Sequence, residues 1–408
     1  MIPFSPPDIS QDEIDEVVDT LKSGWITTGP KTKQLESDLA EFVGTAKVAC
    51  LGSATAALEC ALRLLGIGSG DEVITSAYTY TASASSICHV GATPVLCDVA
   101  PDSFEMDYAQ LSSLVTERTK AVIPVDVAGR MVDYGCLRAA LDEASAKWRP
   151  TTDEQSAFGR LPVVADAAHS LGACWHGLNS GQAADITAFS FHAVKNFTTA
   201  EGGALTWRPG VLDDESAYKQ IMLMSLHGQT KDALAKDRAG AWEYDIAFPG
   251  WKCNMTDMQA ALGLVQLRRY PDLLARRYEL VAAYEEGLAD AGVSVLQHIA
   301  GDSQGDGFRS SCHLMLVRLT GRSRAFRDEL IARMAEAGVA TNVHYKPLPM
   351  LMAYKDLGFD IANFPNALAQ FENEISLPLH TLLSDDDVSM VVQQFVRCKA
   401  QMEAEGLR

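Results

Sequence analysis

Val163-Val164-Ala165-Asp166-Ala167-Ala168-His169 is an apolar run that ends in an acid, with a histidine three positions on. Open α/β sheets bind their ligands beyond the carboxyl ends of such strands. Asp166 then has two possible uses, to cap the next segment or to face a cationic ring nitrogen. His169 has the same duality, structural hydrogen bonding or catalysis. Similar runs stand at Lys47–Leu51, Glu72–Thr75, Thr93–Cys97, Lys120–Val125, Pro162–Ala165 and Ile186–Ser190. Helical segments fall between them at Ala54–Leu65, Tyr108–Val115 and Tyr134–Lys147. Continuous apolar runs, in place of one-sided alternation, fit a mostly parallel central sheet flanked by helices on both faces. The fold class is α/β.

The flanks extend this plan. Ser10-Gln11-Asp12-Glu13 forms a capping box, and Ile14, Val17, Val18 and Leu21 follow at helical spacing before Gly24. Arg149–Gly159 reads as a polar surface loop. Gln229–Trp251 is too long and irregular for a simple connection, which points to function. Thr256-Asp257-Met258-Gln259 caps one helix, and a second is expected from Pro271 to about Asp290. Beyond it we expect a strand near Cys312–Leu319, a helix over Arg324–Ala337, a strand over Val339–Tyr345 and a last helix capped by Ser384. The division is a large α/β domain over 1–264 and a smaller α+β domain over 265–408.

Composition narrows the function. The 408 residues carry 34 Lys+Arg against 53 Asp+Glu, a net charge of −19, which repels a phosphate backbone. No nucleic-acid partner is expected. No run approaches the roughly 20 apolar residues of a membrane span, and the amino terminus lacks a signal-peptide pattern. Nine cysteines form no CxxC pair and sit mostly in apolar stretches, as buried thiols of a reducing compartment do. The expectation is a cytoplasmic protein without a metal site.

Two further stretches carry chemistry. Gly52-Ser53-Ala54-Thr55-Ala56-Ala57 joins a strand to a helix, either an anion site at a helix amino terminus or an ordinary Ser-capped turn. Phe189–Gly203 places a single lysine, Lys195, among small and aromatic residues. Desolvation there lowers an amine's pKa and favours the nucleophile needed for a Schiff base. A phosphate site, an acid for a pyridine nitrogen and a desolvated lysine together are what pyridoxal 5′-phosphate requires.

With these residues on the page, the chain resembles the DegT/DnrJ/StrS-type sugar aminotransferases, a family with the fold-type I (aspartate-aminotransferase) architecture. The likeness runs in order through Gly24–Pro30, Gly52–Leu58, Ile123–Gly129, Asp166–His169, the Lys195 segment, Asn254–Asp257, His344–Leu348 and Leu377–Leu379. The resemblance implies that Lys195 holds the cofactor covalently, Asp166 pairs with the ring nitrogen and His169 lies beside the ring hydroxyl. Tyr80 would stack on the ring, while Ala54, Thr55 and Ser190 would hold the phosphate. Asn254 would reach that phosphate from the partner subunit, so the site would be shared across a homodimer. Trp25, Thr27, Thr28 and His344 would line the sugar pocket. One departure is plain: Val125-Asp126 stands where the family often has His after Pro-Val, so no substrate contact by that histidine carries over.

The implied reaction is transamination of a nucleotide-linked keto sugar with glutamate as amino donor. The Lys195 segment and Gly24–Pro30 lean toward a 4-keto rather than a 3-keto sugar. A dehydratase of the same family would carry His in place of Lys195, and a non-catalytic binding member would have lost Lys195 or Asp166.

Overall fold

The computed structural model describes residues 1–231, 243–302 and 305–407. The expected strands form, none of their ends more than two residues from expectation: β1 (Val48–Leu51), β2 (Glu72–Ser76), β3 (Thr93–Cys97), β4 (Thr119–Ile123), β5 (Val164–Asp166) and β6 (Ile186–Ser190). In the main sheet one strand was not expected, β7 (Gly203–Trp207), which runs antiparallel between β6 and β1. Parallel bridges from Val122 to Val163 and from Val125 to Asp166 join two smaller sheets edge to edge. The resulting order is β3-β2-β4-β5-β6-β7-β1, parallel except for β7. Its strands are buried almost throughout, between two apolar clusters. Covered faces on both sides explain the continuous apolar runs.

Three expectations need correction, and the first helix buries polar residues. The first helix, Gln11–Ser23, has its capping box, but Glu13 and Thr20 are its buried residues. Ile14, Val18 and Leu21 are exposed, because Glu13 is held by Arg269 at 2.6 Å and Gln266 at 2.8 Å. Arg149–Gly159 is not a plain loop. It contains the helix Asp153–Phe158, whose buried Gln155 donates to the Leu65 carbonyl at 2.8 Å and so closes the end of the helix Ala54–Leu64. Asp257–Leu288 is one continuous helix with Pro271 inside it. It packs Tyr270 and Leu274 into the sheet's core, and Leu280 and Tyr284 into a second core. That shared burial offsets the lost hydrogen bond and ring clash of an interior proline, about 3 kcal/mol. Finally, Val339–Tyr345 makes only isolated bridges, Ile2 to Val339 and Asn342 to Ser376. Of the Gln229–Trp251 connection, residues 232–242 lie outside the described residues, and Gln229 and Ile246 form an antiparallel bridge at its base.

The carboxyl-terminal part is a small antiparallel sheet, Ser294–Val295, Met315–Arg318 and Glu374–Leu377. The helices Arg324–Glu336 and Asp385–Ala404 pack on it around Phe326, Leu330, Val391 and Phe395.

Candidate active site

The carboxyl end of the main sheet opens into a cavity of about 530 Å³. Eight of the twelve residues singled out from the sequence line it: Ala54, Thr55, Tyr80, Asp166, His169, Ser190, Lys195 and His344. Each arrives by its element. Asp166 is the last residue of β5 and Ser190 the last of β6. Lys195 sits in a turn before β7, its amide bonded to the His192 carbonyl at 2.9 Å. Phe191 and Phe197 pack edge to face, 4.7 Å apart, under this turn.

Electrostatics favour a nucleophilic amine. Burial holds the Lys195 ammonium down at about 8, against the pull of the Asp166 carboxylate. Asp166 is itself pushed up by burial, while the Ser83 hydroxyl (2.6 Å to Oδ2) and the Ala168 amide (3.3 Å to Oδ1) favour its ionised form. His169 is held far down by burial and the nearby Lys195 charge, so it is neutral. The Ala128 amide donates to its Nδ1 at 3.2 Å, which leaves the ring proton on Nε2, directed to the Tyr345 hydroxyl at 3.0 Å.

The far end of the cavity suits an anion. Ser53 caps the helix Ala54–Leu64 through the Ala56 amide, so the first-turn amides of Ala54 and Thr55 have no partner within the helix. A Cβ at Gly203 would come within 2.4 Å of the Ala54 nitrogen, so only glycine lets β7 lie against this turn. The donor set fits pyridoxal phosphate: helix amides for phosphate, Asp166 for a ring nitrogen, and Lys195 for the aldehyde. Tyr80, 63% exposed at the start of the helix Thr81–His89, is free to cover a ring.

The low amine pKa has a kinetic consequence. Only the deprotonated Lys195 attacks, so its share grows as pH rises through about 8. The rate at which cofactor-free protein captures pyridoxal phosphate should climb about tenfold per unit below pH 8 and flatten above it. Stopped-flow absorbance across that range checks this. A rate still climbing steeply to pH 10 would mean an ordinary, solvated amine.

Trp25, Thr27, Thr28 and Asn254 do not line this cavity. The Trp25 indole donates to the Thr28 carbonyl at 3.2 Å, the Thr27 carbonyl accepts from the Asp257 amide at 3.0 Å, and the Asn254 amide bonds the Thr28 hydroxyl. Thr28 and Asn254 instead border a separate cavity of about 700 Å³. That cavity is larger, but its buried acid, Glu36, is already held by the Cys50 amide, the Tyr218 hydroxyl and Lys33, which leaves no free buried acid to face a ring nitrogen.

Several lining residues had no sequence signal. Phe4 and Ser5 reach the cavity from the amino terminus, Ser5 donating to the Val194 carbonyl at 3.2 Å. His313 stacks near His169, ring centres 4.3 Å apart, and meets Asn196 at 2.8 Å. Tyr345 falls inside the His344–Leu348 stretch, where nothing in the sequence marks it out. Asp126, at the family's usual histidine position, turns into the protein and accepts from Ser170 at 2.6 Å and the Val132 amide at 3.0 Å.

Comparison with known proteins gives a consistent picture. Residues 7–396 match the DegT/DnrJ/EryC1/StrS aminotransferase family. Spr1654 from Streptococcus pneumoniae, assigned as a sugar aminotransferase and solved in its PMP form, superposes with a TM-score of 0.94 at 54% identity, covering 98% of this chain and 100% of that one. The Helicobacter pylori aminotransferase PseC, involved in pseudoaminic acid biosynthesis, gives 0.84 at 26% identity, covering 98% and 99%. The spore coat polysaccharide biosynthesis protein SpsC of Bacillus subtilis is 37% identical over 396 residues, 96% of this chain and 95% of SpsC.

Proposed function

The chain belongs to the DegT/DnrJ/EryC1/StrS aminotransferase family and is a pyridoxal-phosphate-dependent aminotransferase, and from that premise we propose that it carries an amino group from glutamate to a nucleotide-linked 4-keto sugar. The observation that carries this reading is Lys195, a partly buried lysine whose ammonium is held down by desolvation, beside Asp166 in a cavity bordered by the first turn of the helix Ala54–Leu64. Pyridoxal phosphate, when bound, supplies an electron-withdrawing ring that stabilises negative charge at the amino donor's α-carbon.

The residues divide the remaining work. Lys195 Nζ takes the proton from the donor's α-carbon and returns a proton to the sugar carbon in the reverse half-reaction. Asp166 keeps the ring nitrogen protonated, and the Ser83 hydroxyl keeps its carboxylate turned toward the cavity. Neutral His169, backed by Tyr345, orients the ring without adding a competing charge. A panel of UDP-, GDP- and dTDP-linked keto sugars with glutamate, followed by product mass spectrometry, tests the reading. Amination of 3-keto sugars alone would overturn the 4-keto part.

The working unit in this reading is a homodimer. Ile14, Val18, Leu21 and Ile26 expose an apolar row that leads to Thr28, and Thr28 and Asn254 lie outside the chain's own Lys195 cavity. A second copy that covers this row would receive Asn254 at its phosphate. Mixing Lys195→Ala with Asn254→Ala subunits should restore about one working site per heterodimer. Heterodimers that form and stay inactive would refute the shared site.

A further inference from the structure

The strand Glu374–Leu377 carries two polar side chains that point at the cavity wall without lining the cavity. Ser376 Oγ lies 2.8 Å from His344 Nδ1, and the same hydroxyl bonds Glu374 Oε1. Glu374 Oε2 accepts from the His344 amide at 2.8 Å. Glu374 and Ser376 are fully buried. Among the described residues His344 Nε2 has no hydrogen-bond partner, and His344 borders the cavity. The His344 carbonyl is tied to the Tyr78 hydroxyl at 2.7 Å, and its ring stacks on Phe4 with centres 5.6 Å apart.

We propose that Glu374, Ser376 and His344 form a proton relay that sets whether His344 offers the keto sugar a hydrogen-bond donor or an acceptor. Glu374 and Ser376 are then positioning residues that act through His344; the inference rests on the transaminase reading of the cavity. Two states of the chain share one set of heavy-atom positions. With Glu374 protonated, Oε1–H donates to Ser376 Oγ, the serine hydroxyl donates to His344 Nδ1, and Nε2 carries the ring proton. With Glu374 ionised, the serine hydroxyl turns to the carboxylate, Nδ1–H donates to Ser376 Oγ, and Nε2 is an acceptor. Between them one proton leaves Nε2 for the cavity, Nδ1 takes the serine proton and serine takes the carboxyl proton. The negative charge ends on Glu374, and no imidazolium forms.

The surroundings make this route the accessible one. Burial and the Lys195 charge hold the His344 imidazolium down to about 3. Burial raises the Glu374 acid to about 8, opposed by the Arg327 guanidinium, whose Nη1 donates to the Glu374 carbonyl at 2.9 Å. The other titratable groups near the chain are Tyr78 and Tyr345, both raised by burial, and His169 and His313, both held neutral. His344 Nε2 therefore donates below about pH 8 and accepts above it. A ketone or hydroxyl oxygen on the sugar is matched by the donor form.

The test reads the tautomer directly. In holoenzyme labelled with ¹⁵N-histidine, the His344 signals are identified by their loss in His344→Gln. Long-range ¹H–¹⁵N spectra should show Nε2–H passing to Nδ1–H near pH 8. In Glu374→Gln the amide donates to Ser376 permanently, so Nε2–H should persist at every pH and the alkaline limb of kcat/KM for a UDP-linked 4-keto-6-deoxyhexose should vanish. Ser376→Ala cuts the chain and should abolish the transition even if Glu374→Gln fails to fold. One tautomer throughout in the unaltered enzyme, or a transition that survives in either variant, overturns the relay. Conversion of the unaltered holoenzyme by glutamate is followed in parallel. Its failure refutes glutamate as the amino donor and leaves the tautomer result standing.

Discussion

Lys195→Ala is expected to remove transamination, with turnover down by about 10⁴-fold or more, because one atom serves two steps. In the proposed reading Lys195 Nζ is both the amine that captures the cofactor and the base that moves the proton. Among the described residues it is the only lysine that lines the cavity. Its neighbours are hydrogen-bonded backbone and packed aromatic rings, so the truncation leaves the turn intact. The variant should fold with an unchanged melting temperature and still bind pyridoxal phosphate non-covalently through the helix amides. Borohydride treatment of the unaltered holoenzyme should fix the cofactor on the peptide that contains Lys195. Label on another lysine, or substantial turnover by the variant, would place the chemistry elsewhere.

Asp166→Asn should lower turnover by about 10²–10³-fold, ~3–4 kcal/mol of barrier, while cofactor binding persists. The carboxylate is fully buried, and a cation opposite it is what makes its charge tolerable there. The amide keeps the shape and one acceptor for the Ser83 hydroxyl, but it cannot hold a proton on the ring nitrogen. The loss should fall on kcat for both half-reactions, since each needs the same electron sink. Ser83→Ala should cause a smaller loss of the same kind, because it releases the carboxylate without discharging it. Near-normal turnover in Asp166→Asn would make the strand-end acid a cap and nothing more.

Local chemistry made much of the fold legible. Ser10, Thr256 and Ser384 all form the capping boxes that their spacing announces, and the helices begin where these residues stand. β3 and β6 have the ends their apolar runs suggest. Errors arose where a distant partner outweighed the local signal. Pro271 reads as a break, yet two cores hold one helix straight through it. Ile14, Val18 and Leu21 mark a helix correctly yet stay exposed, while Glu13 turns inward to Arg269 and Gln266 more than 250 positions away.

The same division runs through the site. The sequence by itself determined which residues are chemically equipped: a lysine among small and aromatic neighbours, an acid at a strand end, and a Ser-capped turn of small residues. Those properties depend on adjacent side chains and backbone periodicity, which a linear chain displays. Tertiary structure alone decided that β7 enters antiparallel and presses Gly203 against Ala54. It also decided that Asn254 and Thr28 stand apart from Lys195, that Ser83 turns Asp166, and that Glu374 and Ser376 stand behind His344. Partnership and burial set protonation and hydrogen-bond direction, and both are created when segments far apart in the chain are packed into one volume.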